Sequence, residues 1–581
     1  TVIYFYLAKI EGVYKFNDFD YTLLSKGHAA VMQYACLAGL GIIPTKSLLN
    51  YKTPNGPQAH TDISTKGIYI NSGSLGQTLS KATGIALANS KSKIFVILGD
   101  GELQEGQNYE ALMTIKQYKL FNVIPIIDCN RIQSDSNVDD IKKIYDLGYV
   151  LRGFGFDVLE VDGHNYDELI LKLSKIYNTQ EKNQIMIAYT EKGAGVSFMS
   201  ASAAKRRKYI WHSAIPDKIQ YLEALEELKQ KIKNEKIFLE LTTFIKLEKQ
   251  KLSEPKEKPQ SKKEYSTGEY FSKTITELAK KNKNIYCIDA DLEKSCKLTE
   301  FALNFSHRFI EVGIAEQDMI SIAGGLALSG KLPIVNTYAN FYRRGFEQIY
   351  VNATENTRVI YAGHYSGLCY TTDGKTHQAT GDVAMFRSIP NMLVFYPTFN
   401  FEIPQILNWY LIEKIQAPIY FKLHRTAPLV NFFGKLNIAF NYGFGNKIID
   451  NNSEVCVLTS GPQLINFCGA ALDKLKKKNK ISADLFAVST LKNLDIKFVN
   501  EITDKYKKIF FIEELIDCAG LFDEFMKKLA SQDNPEKLPQ IYYRAVNDFT
   551  FCTLDRIALY KYFKLDTDNI FLELLKQKIN E

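Results

Sequence analysis

The 581-residue sequence contains no apolar run of the ~18 residues that a helical membrane span needs, which excludes such a span within it. It has nine cysteines but no Cys-x-x-Cys pair. An odd count without metal-ligand spacing fits reduced thiols, so a cytoplasmic location is expected. No basic stripe interleaved with aromatics is present, which argues against nucleic acid as a partner. The net charge of +7 is spread thinly, and runs such as Lys476-Lys477-Lys478 read as solvated helix faces. There is no short-period repeat. An initiator methionine is lacking too: the chain opens on Thr1, inside an apolar stretch to Leu7 that reads as the middle of a helix. The natural N-terminus is therefore expected to lie upstream, with any targeting segment, organellar included, out of view.

What is present is ordinary globular composition, with 46% hydrophobic and 24% charged residues. The length allows three or four domains of about 150 residues each. Short β-branched runs alternate with helical patterns. Strands are predicted at 93–98, 122–128, 157–161 and 184–189, and a helical stretch runs from Gly101 to about Leu120. Such alternation implies a parallel, doubly wound α/β sheet, with ligands at the carboxyl ends of its strands. Residues 244–265 are rich in charge, Pro and Ser and read as a linker. A second α/β pattern follows, with strands at 285–289, 334–337, 359–362 and 392–396. A third has strands at 455–459, 483–487 and 509–512. The expected organisation is a first domain at 1–243, the linker at 244–265, a second domain at 266–430 and a third at 431–581.

Gly99-Asp100-Gly101 ends one predicted strand, and Asn130 stands thirty residues after Asp100, at the end of the next. One strand–helix–strand unit brings two such strand ends side by side. An Asp carboxylate and an Asn carbonyl there are hard oxygen ligands suited to Mg²⁺, which commonly completes its octahedron with phosphate oxygens. The glycines allow close approach of a diphosphate. A lone Gly-Asp-Gly marks a turn as readily.

The string GDGELQEGQNYEAL…NVIPIIDCNRI resembles the thiamine-diphosphate signature of the transketolase family. The resemblance implies three doubly wound α/β domains: diphosphate-binding, pyrimidine-binding and C-terminal. It implies thiamine diphosphate as cofactor and Mg²⁺ on Asp100, Asn130 and the Ile132 carbonyl, with Ca²⁺ or Mn²⁺ able to substitute. Gly99 and Gly101 would flank the diphosphate, and Glu105 matches a glutamate at the dimer interface near the cofactor. Ser25-Lys26-Gly27-His28-Ala29 resembles the family's SxGHA motif, whose His lines the active site. Gln58-Ala59-His60-Thr61-Asp62 resembles a segment whose His contacts substrate. Gly73-Ser74-Leu75-Gly76-Gln77 resembles the GSLGQ loop beside the diphosphate, which assigns Gly73, Leu75 and Gln77 to the cofactor. Gly193-Ala194-Gly195-Val196-Ser197-Phe198-Met199 with Trp211-His212 resembles the KGKGVSFM…WH pattern, so His212 would approach the reacting atoms.

In the second domain, Gly313-Ile314-Ala315-Glu316-Gln317 resembles the family motif whose carboxylate pairs with the aminopyrimidine and so favours deprotonation at thiazolium C2; burial of Glu316 would favour its protonated form. On its residues alone, Glu316 is also an ordinary helix N-terminal charge. Thr337-Tyr338-Ala339-Asn340-Phe341 resembles the segment whose rings stack on the pyrimidine, which assigns Phe341 and Tyr338 there. Arg344 and Gln348 match the RAxxQ continuation. Thr372-Asp373-Gly374-Lys375-Thr376-His377-Gln378 resembles DGxTHQ; Asp373 would bind a donor hydroxyl and His377 act as acid/base. His364 and Arg425 would lie toward the acceptor, where Arg matches phosphate oxygens. Ser295 would keep a hydroxyl contact to substrate.

The family's activity is transfer of a two-carbon ketol unit from a ketose, often phosphorylated, to an aldose in carbohydrate metabolism. Its sites form between two subunits, which implies a homodimer. Three departures mark this chain. The family segment with an N-terminal His is absent, Glu269 stands near the position of a phosphate-clamping Arg, and the loop Tyr365–Thr372 (YSGLCYTT) differs. The acceptor is therefore expected to be atypical. The rival reading is a 1-deoxyxylulose-5-phosphate synthase-like condensation of pyruvate with an aldehyde, and a rival of another class is an inactive scaffolding homologue. The C-terminal third matches only loosely, at Thr459-Ser460-Gly461 and Glu513-Glu514, and is expected to serve dimerisation rather than catalysis.

Overall fold

A computed structural model describes residues 3–4, 20–134, 136–179, 181–203, 209–212, 214–250, 265–368, 370–425, 433, 436, 438–531 and 538–578. The chain forms two compact units, one of residues 1–48 with 60–263 and one of 49–59 with 264–581.

The first unit is built on strands β1 (Tyr21–Leu24), β2 (Ile94–Gly99) and β3 (Val123–Cys129), a small hairpin of β4 (Ile132–Gln133) and β5 (Ser136–Asn137), then β6 (Asp157–Asp162) and β7 (Gln184–Tyr189). The five long strands lie in the order β1-β2-β3-β7-β6, every pair parallel. The run Ile94-Phe95-Val96-Ile97-Leu98 shows why it is doubly wound. Val96 and Leu98 pack with the helices Thr78–Ala88 and Gly106–Gln117, while Phe95 packs with the helix Tyr166–Asn178 on the other face.

The second unit holds two sheets. Strands β8 (Ile285–Asp289), β9 (Phe309–Glu311), β10 (Leu332–Tyr338), β11 (Ile360–Ser366), β12 (Leu393–Phe395) and β13 (Ile419–His424) form an all-parallel sheet ordered β12-β13-β11-β10-β8-β9. Strands β14 (Asn446–Ile449), β15 (Val455–Thr459), β16 (Asp484–Ala487), β17 (Lys508–Ile516) and β18 (Gln540–Val546) form the next, ordered β14-β16-β15-β17-β18, with only edge strand β14 antiparallel. One apolar core joins the two: Ile288, Val335 and Tyr361 of the first sheet share it with Cys456, Leu458 and Phe511 of the second.

Two boundaries differ from the sequence reading. The helix Glu235–Gln250 runs into the expected linker at 244–250, because Ile245 is buried while Lys249 pairs with Glu226 at 2.9 Å and Glu248 with Lys218 at 3.5 Å. Residues 251–264 of that linker lie outside the described residues, as does most of the apolar opening at 1–7. Residues 49–59, assigned to the first domain, pack in the second unit instead. Gln58 Oε1 accepts the Cys552 N–H at 2.8 Å and the Ala59 N–H donates to Cys552 Sγ at 3.3 Å. The run Lys476-Lys477-Lys478 forms the last turn of the helix Pro462–Asn479, where cations complement the helix dipole.

Candidate active site

In the first unit, β2 and β3 pair through Gly99 and Asp128, so the loops leaving their carboxyl ends start side by side. Asp100 is buried there. Its Oδ1 accepts the Gly101 N–H at 2.9 Å and its Oδ2 the Arg131 N–H at 2.5 Å. Burial raises its carboxyl, against the pull of those two N–H groups. Asn130 Oδ1 accepts the Ile132 N–H at 3.0 Å, across Arg131 at φ +60°. The Ile132 carbonyl accepts from Lys192 Nζ at 3.4 Å. Glu105 is buried and stands at the N-cap of the helix Gly106–Gln117.

The hub of this region is a residue the sequence reading passed over. Glu102 is buried; its Oε1 accepts the Ser25 hydroxyl and the Gly76 N–H (2.7 Å), and its Oε2 accepts the Gly99 N–H at 3.2 Å. One carboxylate thus ties together the SKGHA, GSLGQ and GDG segments. Gly76 has φ +80°, which favours glycine there. Gly73, Leu75 and Gln77 follow the same turn into the helix Thr78–Ala88, with Gln77 at its N-cap. Lys26 and Asp128 form a second missed pair. Asp128 also accepts the Thr190 hydroxyl, and although burial would raise its carboxyl, Lys26 holds it below the ordinary range. The signal was available: both glutamate and lysine lie inside the quoted motif strings.

Three histidines stand near one another in this unit. The His28 and His212 rings lie 5.4 Å apart between centroids. Crowding by protein atoms, then the cations Lys26 and Lys192 with His212 and His60, holds the His28 imidazole well below its usual value. His212 is pushed down to about 3 by desolvation, then Lys192 and Lys26; Lys192 Nζ lies 2.7 Å from its Nδ1. His60 is anchored through its carbonyl, which accepts the Tyr34 hydroxyl at 2.8 Å.

The second unit gathers the other group at the carboxyl ends of β10 and β11. Glu316 opens the helix Glu316–Leu328 and is buried; its Oε2 accepts no hydrogen bond among the described residues, and Arg344 Nε lies 3.7 Å from it. Both sequence readings of Glu316, helix N-terminal charge and buried carboxylate, therefore describe one residue. Tyr338 and Phe341 stack at 5.3 Å and 25°, and the His377 ring lies 5.2 Å from Phe341. Tyr338 is hydrogen-bonded to Ser295 and Tyr370, and Tyr370 to Asp373. Asp373 also faces Lys52 at 3.6 Å. Arg425 stacks its guanidinium 5.2 Å from both the Tyr365 and Tyr370 rings. Tyr365, Tyr370 and Lys52 were not singled out from sequence; Tyr365 and Tyr370 belong to the divergent loop, of which Cys369 lies outside the described residues.

Two further residues of the sequence reading are placed as follows. His364 is not at the surface. It is buried in β11 with Nε2 3.2 Å from Asn336 Oδ1 and its ring against Phe271, and burial pushes it down to about 3. Glu269 closes a capping box with Ser266 at the start of the helix Thr267–Lys281, its Oε2 accepting the Ser266 N–H at 3.1 Å.

The residues suit the expected cofactor. Glu316 Oε2, buried and without a hydrogen bond among the described residues, is suited to a pyrimidine ring nitrogen, and the Tyr338–Phe341 pair offers an aromatic wall. Asp100 and Asn130 are oxygen donors of the kind Mg²⁺ takes alongside phosphate. Among the described residues no group of three or more His, Cys, Asp or Glu could hold a metal ion, so a metal here would rely on that mixed set.

The family model for the transketolase thiamine diphosphate binding domain matches residues 7–206, and that for the transketolase pyrimidine binding domain matches 263–428. Human transketolase is 30% identical over 505 residues, which cover 83% of this chain and 77% of the human protein. The 1-deoxy-D-xylulose-5-phosphate synthase of Fusobacterium nucleatum is 28% identical over 495 residues, 76% of this chain and 73% of that enzyme. Among solved structures, the transketolase of Campylobacter jejuni aligns with a TM-score of 0.47 and 20% identity, over 96% of this chain and 91% of that one.

Proposed function

The chain belongs to the transketolase family of thiamine-diphosphate-dependent transferases, and from that premise we propose that it moves a two-carbon ketol unit from a ketose or ketose phosphate to an aldose. The observation that carries this reading is the placement of His28 and His212 with ring centroids 5.4 Å apart, and His60 near His28, in the unit that bears the Gly-Asp-Gly loop. Neutral imidazoles can both give and take protons at sugar hydroxyls. When bound, thiamine diphosphate supplies the electron sink for breaking the bond beside a ketone carbonyl.

The protein's part is positioning and proton traffic. Asp100, Asn130 and the Ile132 carbonyl would hold Mg²⁺, and Gly99, Gly101 and the Gly73–Gln77 turn would take the diphosphate. Glu316 offers its carboxyl group to the pyrimidine, with Arg344 Nε 3.7 Å away. Tyr338 and Phe341 would stack on the ring. Asp373 and Ser295 orient substrate hydroxyls, Arg425 lies toward the acceptor, and His377 exchanges a proton at the substrate oxygen. The two half-sites are completed across a homodimer; an active monomer in sedimentation would refute that. The second reading, condensation of pyruvate, draws on the 28% identity to the Fusobacterium synthase. Product analysis with thiamine diphosphate and Mg²⁺ separates the two, with Glu316→Ala as control. Ketose cleavage without CO₂, lost in the variant, supports ketol transfer. CO₂ from pyruvate moves the assignment to the synthase branch. Failure to take up thiamine diphosphate favours the scaffolding homologue.

A further inference from the structure

The loop that carries Tyr370, Asp373 and His377 leaves β11 at Gly367 and returns at Ala379. Its ends are tied at a neck: the Gly367 N–H donates to the Ala379 carbonyl at 2.8 Å, and the two residues form an isolated antiparallel bridge. Two buried charges sit at this neck, one from each sheet of the second unit. Lys422 on β13 donates to the Ala379 carbonyl at 2.9 Å and to the two Asp382 oxygens at 2.8 and 3.0 Å. Glu514 on β17, in the C-terminal sheet, accepts the Leu368 N–H at 3.2 Å, the Tyr560 hydroxyl at 2.7 Å and the Tyr396 hydroxyl, with His424 Nε2 at 3.5 Å. Both side chains are fully buried.

The backbone at the neck is shaped around that carboxylate. Gly367 has φ +76°, and a Cβ there would lie 2.6 Å from Glu514 Oε2. Further along the loop, the Thr553 N–H donates to the Thr371 carbonyl at 2.9 Å. Gly374 has φ +74°, and a Cβ on it would meet Cys552 Sγ at 2.7 Å. The C-terminal third therefore touches the loop at its start, at Thr371 and at Gly374. A buried carboxylate persists only where donors surround it, and removing it leaves those donors unpaired in turn.

We propose that Glu514 is a positioning residue for the 367–379 loop, so that the C-terminal sheet sets the placement of Asp373 and His377 without touching substrate. This rests on the reading of that loop as the substrate loop. The test is amide hydrogen exchange on the full chain with thiamine diphosphate and Mg²⁺, comparing wild type with Glu514→Gln and Tyr560→Phe. Peptides spanning 367–379 are expected to exchange at least tenfold faster in Glu514→Gln and by an intermediate factor in Tyr560→Phe, with peptides of β8 and β10 unchanged. Thiamine diphosphate affinity should stay within twofold, while KM for fructose 6-phosphate as donor rises at least fivefold. Unchanged loop exchange in both variants, or protection lost uniformly across the unit, overturns the proposal. If Glu514→Gln fails to fold, the Tyr560→Phe comparison decides. Exchange is read without turnover, so a wild-type chain that transfers no ketol unit would sink the functional reading and leave the loop result standing.

Discussion

Glu513 and Glu514 are consecutive on β17 yet are held on opposite sides of the ordinary carboxylate value. Alternation along the strand sends them to different faces. Glu513 is buried against the start of the helix Leu521–Ala530, where the Leu521 and Phe522 N–H groups donate to it at 2.7 and 2.8 Å. Burial outweighs those bonds and pushes it up to about 7. Glu514 is equally buried, but His424, Lys422 and the Tyr396 hydroxyl outweigh burial and hold it down to about 2.

The two therefore act on stability with opposite sign. Glu513, raised in the fold from 4.5 to about 7, contributes stability that is present below 4.5 and is lost as pH rises through about 7. Glu514, lowered to about 2, contributes stability present above its ordinary value and lost as pH falls through about 2. On going from pH 5 to 8, Glu513→Gln should gain on wild type by on the order of 3 kcal/mol in urea unfolding. A difference between the two proteins that does not vary with pH would remove Glu513 from the account.

Glu102→Ala is expected to strip partners from the Ser25 hydroxyl and the Gly76 and Gly99 N–H groups at once. Leaving buried donors unpaired costs about 1–3 kcal/mol each before water relieves them, so a loss of about 3 kcal/mol is expected in the first unit. Because all three donors belong to cofactor-side loops, thiamine diphosphate affinity should fall together with the unfolding midpoint, read by titration calorimetry. Normal affinity in a destabilised variant would make Glu102 a scaffold residue only.

The α/β class and most strands were legible because parallel strands covered on both faces are continuous apolar runs, as in Ile94–Gly99. Strands that escaped have polar interruptions or lie at an edge. In β13 the sequence Ile-Tyr-Phe-Lys-Leu-His contains Lys422 and His424, which are buried only because Asp382 and Glu514 receive them from elsewhere in the chain. The site followed the same rule. Asp100, Asn130, Glu316 and Asp373 stand inside short strings and are proposed from those strings. Glu102 lies inside a quoted string, but its partner Ser25 is 77 residues away, and Glu514 meets Leu368 across 146 residues, so the string marks the first without its partners and no local pattern encodes the second.

Removing the divalent cation tests the Asp100 assignment. Chelation should release thiamine diphosphate and abolish turnover, and Mg²⁺ should restore both. In Asp100→Ala the cofactor affinity is expected to drop at least tenfold and no longer respond to Mg²⁺, since one of two side-chain oxygen donors is gone. Full metal response in that variant, followed by fluorescence titration, would place the cation elsewhere.

The acceptor is the sharpest remaining question, and Glu269 bears on it. Thr267, in the first turn of the helix Thr267–Lys281, donates its hydroxyl to the His424 carbonyl at 2.8 Å, which sets that helix start beside Arg425. A free helix N-terminus draws anions. Here a carboxylate, Glu269, already answers that field through its capping box, and Arg425 is spread against Tyr365 and Tyr370. A phosphate dianion would meet a resident negative charge and an engaged guanidinium. Unphosphorylated aldoses should therefore compete well: kcat/KM for ribose is expected to approach that for ribose 5-phosphate. Glu269→Ala should lose about 1 kcal/mol of stability with the cap yet raise kcat/KM for ribose 5-phosphate severalfold. Efficient wild-type turnover of ribose 5-phosphate, unmoved by the substitution, would return the chain to the ordinary sugar-phosphate acceptors.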